Sequence, residues 1–259
     1  MRVSIVEASR AFAAFLVILV FTLAPLFGVL YGTTSALNIG GFTMISPLEW
    51  VLLNLGAGTI MMELLVPGLV VVFVIILFGR FFCGWICPVG IILDQYHRLT
   101  PKKNSKTLGA LWKNREKYII LLAVLAASLL FGFTAPYLYS PPGIVYRTIT
   151  YYALRGIIGV DLAILMLIFT LDFLVSPYGR TWCNTLCPLG TMISILSVVN
   201  LVKPKVDKDK CTACLGCERI CPMRIPLTRA GRRAMMACNK CFKCWEKCPP
   251  GAIKISLLP

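Results

Sequence analysis

Eight of the twelve cysteines stand in two runs late in the chain, CTACLGCERICP at 211–222 and CNKCFKCWEKCP at 238–249. Each run reads C-x2-C-x2-C-x3-C-P. Thiolates are soft ligands that suit iron–sulfur chemistry or zinc. Zinc sites usually separate their paired ligands by a longer loop. The doubled short spacing and the two prolines, Pro222 and Pro249, favour iron and sulfur. In such a run the first three thiolates wrap one corner of a cubane and the fourth crosses to the other cluster. That assigns Cys211, Cys214, Cys217 and Cys248 to one cluster, and Cys238, Cys241, Cys244 and Cys221 to the second. Proline fixes φ and turns the chain beside each fourth ligand. All twelve cysteines fall into four tight groups, which is ligand spacing rather than a disulfide framework.

The other four cysteines form a repeat. GRFFCGWICPVG at 79–90 and GRTWCNTLCPLG at 179–190 share the frame G-R-x-x-C-x-x-x-C-P-x-G. Cys83 and Cys87, like Cys183 and Cys187, are four residues apart, so each pair lies on one helical face. Pro88 and Pro188 suit the first turn of a new helix. Each pair is therefore expected at a break between an incoming helix and a surface helix, at about 89–99 and 189–200. If the breaks meet, four thiolates converge on a third metal or iron–sulfur site. A redox-active dithiol, a transient metal site such as copper, and plain packing are the alternatives. Arg80 and Arg180 precede the pairs. They either offset thiolate charge or simply mark the cytoplasmic side.

The elements that must carry these groups are apolar. Hydrophobic residues make up 58% of the 259 and charged residues only 14%, against a more even balance in soluble domains. Four segments, about 11–30, 64–82, 118–133 and 157–175, approach the roughly 20 residues a bilayer crossing needs. The expected fold is a mostly α membrane protein with four transmembrane helices in two parallel repeats, residues 1–200. A small α+β two-cluster domain follows at 201–259. Lys and Arg are absent from 31–65, number eight in 80–117 and fourteen from 177 onward. That bias puts both termini and the cysteine tail on the cytoplasmic side of a multi-pass inner-membrane protein. It also explains the net charge of +15 without nucleic acid, for which no continuous basic groove with aromatics exists. No convincing signal peptide precedes the first segment.

The tail resembles the bacterial-type two-cluster ferredoxin domain over about 207–256. The order of motif, helix pair, motif and ferredoxin tail covers nearly the whole chain. It resembles the membrane ferredoxin-type proteins NapH and MauN and, more distantly, NosR-like proteins. That resemblance implies a quinol dehydrogenase subunit, cytoplasmic 4Fe–4S clusters, and a partner that is ferredoxin-like or another iron–sulfur or cytochrome subunit. The expected function is electron exchange between membrane quinol or quinone and a partner oxidoreductase. A copper-handling reductase or assembly factor, and a non-catalytic redox anchor for a soluble iron–sulfur partner, are the competing readings.

Quinol oxidation needs an apolar slot and a proton acceptor. Glu63, Asp161 and Asp172 are the candidate acids, since charge within apolar segments is costly. Helix capping by Glu63 and Asp161 is the plainer alternative. Trp50, Tyr137, Tyr139, Tyr146, Tyr151 and Tyr152 read as an interfacial aromatic belt. The single histidine, His97, excludes bis-histidine haem within this chain. No dinucleotide or P-loop fingerprint appears.

Overall fold

The computed structural model describes residues 5–23, 30–33, 36–39, 42–58, 62–99, 116–131, 143–145, 148, 152, 160–175, 182–197, 201–223, 225–229 and 232–256. It is mostly helical. The longer helices are α1 (Ile5–Leu23), α2 (Pro47–Ala57), α3 (Leu65–Phe78), α5 (Pro88–Leu99), α6 (Glu116–Phe131), α7 (Val160–Val175) and α8 (Pro188–Leu196). A short α4 (Phe81–Trp85) lies between α3 and α5. The tail adds α9 (Gly216–Ile220), α10 (Arg232–Met235) and α11 (Lys243–Glu246), with β4 (Lys203–Val206) antiparallel to β5 (Ile253–Ser256).

The four-crossing fold is corrected. Among the described residues no helix is long and apolar enough to cross a membrane. The reasons are local. Gly79, at φ 56°, ends α3 after 14 residues, about 21 Å at 1.5 Å per residue. Helices α6 and α7 have 16 residues each. Helix α1 has 19 residues, but its first turns carry Glu7 and a buried Arg10. Residues 30–33, 36–39 and 42–45 are extended rather than helical. They form a three-stranded antiparallel sheet, β1 (Leu30–Thr33), β2 (Ala36–Ile39) and β3 (Phe42–Ile45).

Helix starts and stops follow the sequence closely. Ser46 Oγ accepts from the Glu49 amide at 3.3 Å, and Pro47 occupies the first turn of α2, a capping pattern worth about 1 kcal/mol. Gly58, left-handed at φ 63°, closes that helix. The helices pack through one apolar core that includes Leu52, Ile75, Leu93, Leu121, Ile168 and Ile193. Their other faces stay bare. Phe12 and Phe15 of α1, Phe73 of α3, Leu122 and Leu130 of α6, and Met166 of α7 are all more than half exposed.

The tail is keyed into this body. Gly84 of α4 is buried, and a Cβ there would strike the Asn239 carbonyl oxygen. Gly84→Ala should cost about 2–3 kcal/mol, because the obstacle is backbone and cannot rotate away. A thermal melt and limited proteolysis check this. A variant that melts like the parent with an equally protected tail contradicts the docking. The sequence-matched residue of the second motif is Asn184, so this constraint belongs to the first motif.

Candidate metal centres

The two tail runs repeat the same left-handed backbone positions. Ala213 and Leu215 have φ of 51° and 54°, and Lys240 and Phe242, each 27 positions later, have 53° and 54°. These four are the positive-φ non-glycine residues of the described chain. Such residues are uncommon and cost of order 1 kcal/mol or more each. Their alternation winds each loop tightly and leads into α9 or α11, where Cys217 and Cys244 sit. The antiparallel β4–β5 pair ties the two ends of the tail together, and Met223, Ile225, Leu227 and Ile253 fill its core.

Two cavities result. One is lined by Cys211, Cys214, Cys217 and Cys248, the other by Cys221, Cys238, Cys241 and Cys244. Three thiols come from one run and the fourth from the other, in both cases. Cysteines separated by about thirty positions thus share a cavity, while Cys221 leaves the cavity of its own run.

The two cavities differ in surroundings. Cys214 is exposed, whereas Cys241 and Cys244 are buried. Hydrogen bonds from the Gly216 amide and the Thr212 side chain hold the Cys214 thiol below its ordinary value. Burial raises Cys238 to about 12, and the charges of Cys241 and Cys221 push the same way. Cys244 is raised further, first by burial and then by the same neighbours. Thiolates there need a positive centre to form, which thiolate-bound iron supplies. The Asn239 amide, 2% exposed, lines this cavity, and its Nδ2 meets no acceptor among the described residues. A buried donor left over beside four thiols fits the sulfur atoms of a cluster. Residues and spacing fit a cubane.

The inner cavity, that of Cys238, faces the helical body. Lys240, 1% exposed, donates from Nζ to the Phe78 carbonyl at the end of α3. Burial lowers its ammonium to about 8, with the Cys238 thiolate acting in the opposite sense. Trp85 Nε1 donates to the Lys240 carbonyl at 2.9 Å. The Trp85 ring stacks on Phe81 at 5.3 Å and tilts against Phe242, a lining residue, at 6.3 Å. Ser194 Oγ donates to the Met236 carbonyl at 3.0 Å. Arg80, 2% exposed, donates to the Gly190 carbonyl through Nε, at 2.9 Å, and Nη2, and to the Ala237 carbonyl at 3.5 Å through Nη1. Arg80 therefore ties the first motif, the second motif and the tail together. Arg180 lies outside the described residues.

The two C-x3-C-P motifs share a local geometry. The Cys87 amide donates to the Phe82 carbonyl at 3.0 Å and the Cys187 amide to the Trp182 carbonyl at 2.8 Å. Both span five residues, a widened turn that recurs at functional sites. Pro88 and Pro188 then open α5 and α8 at the expected places, but α8 is buried over six of its nine residues and is a core helix rather than the expected surface one. Cys87 and Cys187 are buried in one core, with Cys83 and Cys183 packed against it. Burial raises the Cys187 thiol to about 11. Gly190 and Arg80 oppose that shift, and Cys83 of the other motif adds to it. The first motif thus approaches the second.

The candidate acids are dispersed. Glu63 is exposed in the 3-10 turn Met62–Leu64. Asp161 and Asp172 stand in the first and last turns of α7, about 16 Å apart along the axis; their side chains lie outside the described residues, as does that of His97. Trp50, expected in an aromatic belt, packs on Gly68 of α3, and Tyr152 is exposed. Tyr137, Tyr139, Tyr146 and Tyr151 lie outside the described residues. Sequence reading missed a buried ionic cluster beside the inner cavity. Arg10 Nη2 meets Asp94 Oδ2 at 2.6 Å, and Lys243 Nζ lies 3.2 Å from Glu7 and 3.6 Å from Asp94. Acidic Asp94 inside an otherwise amphipathic α5 was the available signal.

A family model for a 4Fe-4S binding domain matches residues 60–107 and 158–208, once over each C-x3-C-P motif. A model for a 4Fe-4S dicluster domain matches 203–249. The methylamine utilization ferredoxin-type protein MauN of Methylorubrum extorquens is 31% identical over 207 residues, 78% of this chain and 69% of that protein. The ferredoxin-type protein NapH of Haemophilus influenzae is 26% identical over 204 residues, 75% of this chain and 68% of that one. An uncharacterized protein of Methanocaldococcus jannaschii is 31% identical over 189 residues, 69% of this chain and 65% of that one. The chain thus spans about two thirds of these relatives. No solved structure matches it.

Proposed function

The chain belongs to the family of ferredoxin-type iron–sulfur proteins that includes MauN and NapH, and on that premise we propose that it exchanges electrons between a membrane quinol and a partner oxidoreductase. It binds 4Fe–4S clusters and has an iron–sulfur electron-transfer role. The observation that carries the finer reading is the crossed lining of two cavities, one buried against the helical body and one reaching the surface at Cys214. Cys211, Cys214, Cys217 and Cys248 hold the outer cluster; Cys221, Cys238, Cys241 and Cys244 hold the inner one. A 4Fe–4S cluster supplies a one-electron store at thiolate-bound iron. Two such stores match the two electrons a quinol gives up with its two protons.

The chain's own residues serve the rest. The bare apolar faces of α1, α3, α6 and α7 favour contact with lipid, since patches of this kind seldom stay in water. The basic loops and tail favour an anionic membrane surface, such as the cytoplasmic face of the inner membrane. Cys83, Cys87, Cys183 and Cys187, in the core between those faces and the inner cavity, join the same electron route. Glu63, Asp161 and Asp172 are the proton acceptors to test. The exposed outer cavity is the face for the partner, an iron–sulfur or cytochrome subunit.

Anaerobically purified protein in lipid vesicles, reduced with dithionite and mixed with menadione, tests this. The brown absorbance of oxidised clusters should return, at least about tenfold more slowly in Cys83→Ser, since a tenfold change needs only 1.4 kcal/mol of barrier. Equal rates remove the edge cysteines from the route. Zinc in place of iron sinks the redox reading altogether.

A further inference from the structure

The two cluster loops share their cysteines, their proline and their left-handed positions, and differ in charge at several others; one of these, the residue before the second cysteine, is buried against a cluster cavity in one run only. Twenty-seven positions separate Cys211 from Cys238, and the same interval relates Ala213 to Lys240. Both residues adopt the left-handed conformation, at φ 51° and 53°. Ala213 is exposed; Lys240 is 1% exposed and lines the inner cavity. Its Nζ donates to the Phe78 carbonyl, at the negative end of α3. A lysine in the left-handed region, buried in the lining of a four-thiol cavity with its amine bonded to a helix end, is an expensive arrangement for packing alone.

Resting on the dicluster reading above, we infer that Lys240 is a tuning residue that raises the reduction potential of the inner cluster relative to the outer one. Reduction adds one negative charge to a thiolate-ligated cluster. Burial disfavours that added charge, because a low dielectric solvates it poorly. Taken alone, the buried inner site would be the harder of the two to reduce. A fixed ammonium in the same low-dielectric region opposes this, since the attraction weakens less there than in water. The outer cavity has Ala213 at the matching place; its own lining lysine, Lys247, is exposed, so water screens that charge, and water also reaches Cys214. Asn239, whose buried Nδ2 meets no acceptor among the described residues, stands next to Lys240 and matches Thr212. It adds a dipole of the same sense. The effect is to level two sites that burial would otherwise split, so that an electron passes between them without a deep trap at either.

The experiment is an EPR-monitored potentiometric titration of the anaerobic, cluster-loaded full chain. Cys214→Ser, which keeps the inner cluster, assigns the two midpoints. Lys240→Met should lower the inner midpoint, shifting the electron equilibrium between clusters by about tenfold, or 59 mV for one electron. Lys240→Arg should restore it. Ala213→Lys should raise the outer midpoint and leave the inner one in place. Its backbone conformation already accepts lysine at the matching position. Intact clusters with unmoved midpoints in Lys240→Met overturn the inference. If that variant loses its inner iron, Ala213→Lys decides: an outer midpoint that does not rise overturns it. Two midpoints unmoved by either variant leave the dicluster reading standing, whereas fewer than two reduction steps in the parent would remove that reading itself.

Discussion

Cys221→Ser destroys the same cluster as Cys238→Ser, and spares the one held by its nearest neighbours in sequence. Cys221 is four residues from Cys217 and seventeen from Cys238, yet it lines the cavity of Cys238, Cys241 and Cys244. Cys248→Ser likewise pairs with Cys211→Ser. Each variant should bring bound iron from about eight to about four per chain, the content of one 4Fe–4S cluster. The surviving EPR signals should sort the four variants into two pairs. Serine is the right probe, because it keeps shape and removes the soft thiolate. Inner-cavity losses should also loosen the whole chain. There the raised thiols of Cys238 and Cys244 leave buried groups with no metal to charge them, and metal binding is coupled to folding. The opposite sorting, with Cys221→Ser grouping with Cys211→Ser, would overturn the crossed assignment.

Asp94→Asn is expected to destabilise the protein by about 3 kcal/mol or more, the usual cost of leaving a buried ion without its partner. Asp94 is 7% exposed and faces Arg10 at 2.6 Å and Lys243 at 3.6 Å. Neutralising it leaves Arg10 without its counter-ion in a poorly solvated pocket, while Lys243 keeps Glu7 at 3.2 Å. Arg10 keeps one bond, from Nε to the Gly84 carbonyl at 2.7 Å, so the loss is partial. The cluster joins α1, α5 and α11, and Lys243 lies between the inner ligands Cys241 and Cys244. The unfolding midpoint should fall and the inner cluster should bleach first on heating. The double variant Arg10→Met/Asp94→Leu should recover much of the loss, because a well-packed apolar pair often replaces a buried ion pair at little cost. A double variant no better than the single one would mean that the charges themselves serve a purpose.

Ligand identity and helix breaks were legible in the sequence because they are local. Backbone conformation of a few residues positions C-x2-C-x2-C around one centre, and Pro88 and Pro188 begin helices wherever they stand. Hydropathy was a poorer guide to architecture. An apolar run reports that a segment avoids water, and it does not report how far the helix continues. Gly79 cuts α3 short, and Arg10 turns the start of α1 toward Asp94. The sheet over 30–45 was missed because its strands are four residues each, too brief for alternation to show.

The sequence by itself determined that eight thiols would serve two clusters, and that four more would sit at paired helix breaks. Only the tertiary structure decided which cluster lies against the helical body. That choice rests on Arg80 with Ala237, Trp85 and Phe78 with Lys240, and Gly84 with Asn239. These contacts join residues more than 150 positions apart, through buried donors and carbonyls that must find one another once water is excluded.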